Sequence, residues 1–389
     1  MPYSSSQKPQ KLTLTSASDL IECERILSRI NSATTPTVLL LPKEDRRLFT
    51  KDLRVVAIIS AASRNSQVKC EWPSNLSAET HQSLIGLAGA VYEVEANEGQ
   101  VFVSRNGAKQ TLAQRLDILE NPPGSKETLT FCAIDDTTRA QPVALSALSE
   151  KSKFIDELGN DVRKYFDIGP SEDFSSSIGP GLFDDGSSVE ECIYGFVYEL
   201  YQNTFVHGSL DQDQKTIPGL RLLRVRKRIG QVSSRDAFIR GAGQFSELQE
   251  YLEENLTSDK TFKLYEISIS DNGMGILSRF RSIGQAEPPK EAQAPSENLK
   301  LLNRIIAESL SSDSRKSNVG RGGLQKALDA VDKVKGFVSL RTDNLWVYRS
   351  PENTNATSPE ELLRPVRIEN GGELSKIPGT HFSMIVRAS

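Results

Sequence analysis

Short apolar runs alternate with helix-period patterns from the start of this chain, and that alternation confines it to a layered α/β fold. Lys11 to Thr15, Thr37 to Leu41 (TVLLL) and Gln67 to Glu71 read as strands, the second of them buried. Between and after them, helical spacing is predicted over Ala17 to Ile30, Leu48 to Ser63 and Ala78 to Val94. A length of 389 residues suits two domains better than one. The punctuation of the sequence places the break after residue 120. From Glu120 to Glu150 the chain carries NPPGS, polar stretches and one strand pattern, Thr128 to Ile134. A helical pattern over Leu145 to Tyr165 follows, then a loop dense in Gly, Ser, Pro and Asp over Asp167 to Ser188. The expected division is an N-terminal α/β domain at 11–120, a linker with a connecting helix at 121–188, and a second domain at 189–389.

Composition excludes several functions. The net charge of −4 gives no overall pull toward nucleic acid or anionic membrane. Cys23, Cys70, Cys132 and Cys192 form no CxxC pair, and His81, His207 and His381 are scattered, so no zinc spacing appears. Unpaired cysteines and an N-terminus (MPYSSSQKPQ) without a charged-then-apolar design predict a cytoplasmic protein. No run approaches the length of a membrane span. Leu220 to Arg228 (LRLLRVRKR) alternates as a strand, and its basic residues are expected to form a solvated face rather than a nucleic-acid patch.

The residues suited to chemistry lie in four separated segments. In ELYQNTFVHGS, Glu199, Asn203 and His207 stand four apart and share one helix face. An asparagine oxygen suits magnesium, and a carboxylate one turn earlier can activate a water. A polar stripe on an amphipathic helix would look the same. In YEISISDNGMG, a strand through Tyr265, Ile267 and Ile269 turns at Asp271-Asn272-Gly273-Met274-Gly275. A carboxylate at a strand end can accept from an adenine amino group, and glycines admit close backbone approach. A plain Asn-Gly turn is the alternative. In SNVGRGGLQKALDAVDKV, Gly320, Gly322 and Gly323 open an amphipathic helix, which offers N–H groups to phosphates or simply makes a hinge. Last, Pro378-Gly379-Thr380 enters an apolar strand and places a hydroxyl at its start.

Each segment alone says little; their order says more. Glu-x₃-Asn-x₃-His on a helix, DNGxG after a strand, a glycine-rich helix start, then Gly-Thr before a strand resembles the sequence boxes of the GHKL superfamily. This is the Bergerat fold of histidine kinases, DNA gyrase, MutL and the large heat-shock chaperones. The Glu-Asn-His helix followed by Gly208 is closest to the anti-sigma-factor kinases in pattern. The βαβαβα layout of the N-terminal part resembles a STAS-type domain.

The resemblance implies a two-layer α/β sandwich over 189–389 that binds ATP and magnesium. Asn203 would hold the magnesium, and Glu199 would be the base where hydrolysis occurs. Asp271 would read the adenine amino group, with Gly273, Met274 and Gly275 forming the adenine wall and Asn272 beside it. Gly320, Arg321, Gly322, Gly323 and Leu324 would wrap the phosphates, and Thr380 would support the adenine. His207 falls at a position that packs or caps the helix. One departure stands out: the third box reads Gly320-Arg321-Gly322-Gly323, with its last glycine one position early for G-x-G-x-G. Ile276 to Val319 is the expected lid, with a helical LKLLNRIIAESL inside and Arg315, Lys316 and Arg321 within reach of phosphate. Gyrase, MutL and the chaperones continue into a second domain that feeds a basic residue to the γ-phosphate. Here the chain ends soon after the fourth box, so hydrolysis is expected to need a lid residue or a second subunit. Three uses remain open: an ATPase or ATP-driven switch read by a protein partner or a second copy, a serine or histidine-type protein kinase, and a non-catalytic assembly module. His81 is the single histidine ahead of the site, and a surface helix is its expected place.

Overall fold

A computed structural model describes residues 9–15, 18–41, 51–71, 102–103, 109–110, 128–134, 188–208, 220–256, 261–282, 295–307, 322–353, 361–368 and 374–388. The chain divides into two compact units, Met1–Pro123 and Gly124–Ser389. Helix and sheet layer together in both, so the α/β class stands. Among the described residues, no helix is long and apolar enough to cross a membrane.

In the first unit, β1 (Gln10–Thr13), α1 (Leu20–Asn31), β2 (Thr37–Leu40), α2 (Lys51–Arg64) and β3 (Val68–Glu71) form a parallel sheet in the order β1-β2-β3. Their bounds lie within a few residues of those predicted. Parallel strands need crossovers, and the two helices supply them. Asp19 caps α1 by accepting from the Glu22 N–H at 2.8 Å. Between the helices, Arg54 meets Glu24 at 3.1 Å, so both charges are buried as a pair. A short hairpin, β4 (Phe102–Val103) with β5 (Lys109–Gln110), completes what is described here. The helix predicted over Ala78 to Val94, with His81, lies outside the described residues. So does the one over Leu145 to Tyr165, in the second unit.

The second unit is built on one antiparallel sheet of seven strands, ordered β11-β10-β9-β12-β8-β7-β6. In chain order its elements are β6 (Thr128–Ile134), α3 (Val189–His207), β7 (Leu220–Gln231), α4 (Arg235–Arg240), α5 (Ser246–Asn255), β8 (Thr261–Asp271), α6 (Ile276–Ser282), α7 (Pro295–Ala307), α8 (Gly323–Lys333), β9 (Phe337–Asp343), β10 (Leu345–Arg349), β11 (Arg364–Pro365) and β12 (Ile377–Ala388). The strand read at 128–134 is the edge strand of this sheet: it pairs with β7 from Thr128↔Arg226 to Ile134↔Leu220. The sheet therefore begins ahead of residue 189.

Strand periodicity divides the sheet into two unlike faces. One presents Leu223, Val225, Ile267, Ile269, Leu340, Phe382 and Met384, and α3, α7 and α8 bury their apolar stripes on it. Ser188 starts α3 with a capping box, in which its hydroxyl takes the Glu191 N–H and Glu191 returns the bond. The opposite face is polar where β7, β8 and β12 run side by side, with Arg224, Ser268 and Ser383 in one register row. It becomes aromatic toward β9, where Phe337 meets Phe245, Tyr251 and Tyr348.

Burial on both faces of β7 corrects the expectation for the basic strand, with Arg221 on the helix-bearing face and Arg224 and Arg226 on the polar one. Arg221, Arg224 and Arg226 are 2%, 8% and 6% exposed, so they do not form a solvated face. β7 is interior, flanked by β6 and β8, and its neighbour supplies a counter-charge. The buried Glu266 carboxylate receives Arg228 at 2.5 Å and lies 3.8 Å from Arg226. A surface strand and an interior one share the same charge alternation, so sequence alone does not separate them.

Candidate functional site

Seven of the predicted residues, Asn203, Asp271, Gly275, Gly322, Gly323, Leu324 and Thr380, converge at one end of the helix-bearing face. In register, Arg221, Asp271, Thr380 and Thr342 form the last row across β7, β8, β12 and β9. The apolar row behind it includes Ile269 and Phe382. Between these rows and the helices lies a cavity that opens to solvent. Asn203, Asp271, Gly275, Thr380 and the segment Gly322–Gln325 line it. Ile276, Phe280, Ile305 and Ile306 form an apolar wall.

Asp271 is held in place by tight packing of three glycines around it. Its Oδ1 accepts the Gly273 N–H at 2.9 Å, which closes the turn after β8. At the end of α3, a Cβ on Gly208 would stand 2.9 Å from the Asp271 Cβ, so the glycine allows the helix end to touch the aspartate. On β12, Gly379 takes φ +76°, and a Cβ there would lie 1.8 Å from the Asp271 carbonyl oxygen. The Gly379 N–H donates to the Gly273 carbonyl at 2.7 Å, which interlocks the second and fourth predicted segments. Around Gly379 the register of β12 against β9 shifts, so Pro378-Gly379 is a bulge rather than an ordinary turn.

A residue pair the sequence reading passed over braces the same turn. The Thr342 hydroxyl accepts the Ile276 N–H at 3.0 Å and reaches Thr380 Oγ1 at 3.5 Å. Next to it, Asp343 accepts the Leu277 N–H at 3.0 Å and the Ser278 hydroxyl. Asp343 has φ +49°, the left-handed geometry that aspartate tolerates in a hairpin. The signal was present: RTDNLWVYR sets two alternating runs about Asp343-Asn344.

The helix face at Glu199 is arranged less simply than its spacing suggests. Asn203 lines the cavity, whereas Glu199, 8% exposed, does not. A Cβ on Gly323 would meet Glu199 Oε2 at 2.9 Å and Asn203 Nδ2 at 3.1 Å, so the absent side chain lets α8 start against α3. Lys326, one turn into α8, approaches Glu199 Oε1 at 3.4 Å. Burial raises the Glu199 pKa above its ordinary 4.5, and Lys326 works against that rise. Gly322, the N-cap of α8, brings no side-chain cap to the N–H groups of that first turn.

Gly273 and Met274 are not among the cavity-lining residues; Met274 is buried, as is Asn272. His207 is the last residue of α3. Gly320, Arg321, Arg315 and Lys316 lie outside the described residues. Of the expected lid, Ile276–Ser282 is α6 and Pro295–Ala307 is α7, and both contribute cavity wall. His381 is fully buried between Ser270 Oγ at 2.9 Å and the Pro378 carbonyl at 3.0 Å, a structural position that its type did not announce. Among the described residues, no three His, Cys, Asp or Glu side chains gather as a metal cluster. Compared with protein-family models, with curated proteins and with solved structures, the chain matches none.

Proposed function

We propose that the second unit binds ATP with magnesium in the manner of the GHKL superfamily and acts as an ATP-driven switch or magnesium-dependent ATPase. The observation that carries this reading is convergence. Four segments spread between residues 203 and 380 supply Asn203, Asp271, Gly275, Gly322–Leu324 and Thr380 to one cavity. A polar stripe, a plain turn, a hinge and a strand start have no reason to meet.

The cavity offers complementary ends for a nucleotide. Asp271 lines the cavity with a carboxylate suited to accept from an adenine amino group, with Thr380 beside it. Ile276, Phe280, Ile305 and Ile306 provide apolar surface for a base or sugar. The uncapped start of α8 offers N–H groups to phosphate oxygens. Magnesium bound with a nucleotide needs few protein ligands, because phosphates and waters fill most of its shell. The Asn203 side-chain oxygen suits that role, and the ion would neutralise phosphate charge. Glu199 is one turn from Asn203, but Lys326 holds it. For Glu199 to act as a base, Lys326 must turn away, for instance toward a phosphate; turnover is therefore slow unless a protein partner or a second copy favours that exchange. Cys23, Cys70 and Cys192 stand as buried thiols outside any disulfide, in keeping with a cytoplasmic setting.

Titration with a fluorescent ATP analogue tests the adenine assignment. Asp271→Asn replaces an acceptor with a donor facing the amino group and is expected to weaken binding at least about tenfold, the loss of one charge-assisted hydrogen bond. Unchanged affinity in a folded variant would remove Asp271 from that role.

A further inference from the structure

Arg279, on α6, lines the cavity. Its Nε is buried, yet no hydrogen bond or ion pair engages the side chain among the described residues. Other cations nearby are tied. Two residues along the same helix, Arg281 donates to Asn298 Oδ1 at 2.5 Å, and on α8 Lys326 is held by Glu199. A guanidinium carries five N–H donors, accepts nothing and stays charged, so leaving a buried donor open is costly unless a ligand fills it.

The stem that presents Arg279 is braced. The Arg279 N–H donates to the Gly275 carbonyl at 3.0 Å, and the preceding residues Ile276, Leu277 and Ser278 are fastened to Thr342 and Asp343. Such bracing lowers the cost of ordering the side chain on a ligand. Among the described lining residues, Arg279 and Asp271 are the two charged ones. A ligand that brings an anion to Arg279 and a donor to the carboxylate side of the cavity has the chemistry of a nucleoside phosphate.

We propose that Arg279 is a binding residue for a phosphate group of the ligand in this cavity. This rests on the nucleotide reading above. The test compares adenosine and ATP by calorimetry in wild type, Arg279→Gln and Arg279→Lys, each first shown to melt cooperatively. Arg279→Gln is expected to leave adenosine affinity within twofold and to weaken ATP at least tenfold, with Arg279→Lys in between. Equal losses for both ligands would make Arg279 a packing residue, and no loss for either would remove it from the site; both outcomes overturn the proposal. A wild-type protein that binds neither ligand would instead overturn the nucleotide reading. Inorganic pyrophosphate then decides on Arg279 by itself: it should raise the melting temperature of wild type and not of Arg279→Gln, and no shift in wild type would end the proposal.

Discussion

Glu199 shows how much a single position depends on what faces it. Spacing alone put it one turn from Asn203 and made it a base. The fold adds burial, Gly323 against one oxygen and Lys326 against the other. With its pKa raised by burial, the native protein holds this proton more tightly than the unfolded chain does. Its contribution to stability is therefore complete below its ordinary pKa of 4.5 and is lost as pH rises through the raised native value. Glu199→Gln abolishes that ionisation. Its melting temperature relative to wild type should shift in the variant's favour as pH rises above 4.5. A difference that does not change with pH would show that Glu199 titrates as it does in the unfolded chain.

At the scale of elements, α6 is short and depends on the β9–β10 hairpin. Asp343 accepts from the first turn of α6, and Thr342 ties that turn to β12. Asp343→Ala leaves a buried N–H without its acceptor and should cost about 1–3 kcal/mol in denaturant unfolding. ATP affinity should fall with it, because α6 carries Ile276, Arg279 and Phe280 into the cavity. Wild-type stability would mean that the brace is replaceable. Sequence reading located α3, β8, the start of α8 and β12, since each joins a clear period to a cap or glycine turn. It passed over α4, α5 and the β9–β10 hairpin, whose residues carry no chemistry of their own. Bracing of this kind is set by tertiary hydrogen bonds between positions 66 apart, and no local pattern announces it. The burial of Arg221 and Arg224 was hidden for the same reason: alternation reports a strand, while its place within the sheet decides what covers it.

At the scale of the molecule, the sheet of the second unit reaches back to β6, within the stretch that composition marks as a linker. A fragment of residues 124–389 keeps that strand and should unfold in one cooperative transition. A fragment of residues 189–389 leaves the β7 edge bare over seven register positions, from Arg226 to Leu220, and should aggregate or melt lower. Equal melting temperatures, with no light scattering from the shorter fragment, would show that β6 is dispensable. The first unit is a parallel three-stranded layer with two crossover helices. For the second unit, we propose that the cavity lined by Asp271 and Asn203 takes ATP. Isothermal titration of the full-length chain with ATP and magnesium tests it most directly. The expected result is saturable binding near one ATP per chain, weakened when magnesium is withheld and lost in Asp271→Asn. A folded protein that shows no binding at millimolar ATP, with or without magnesium, would contradict it.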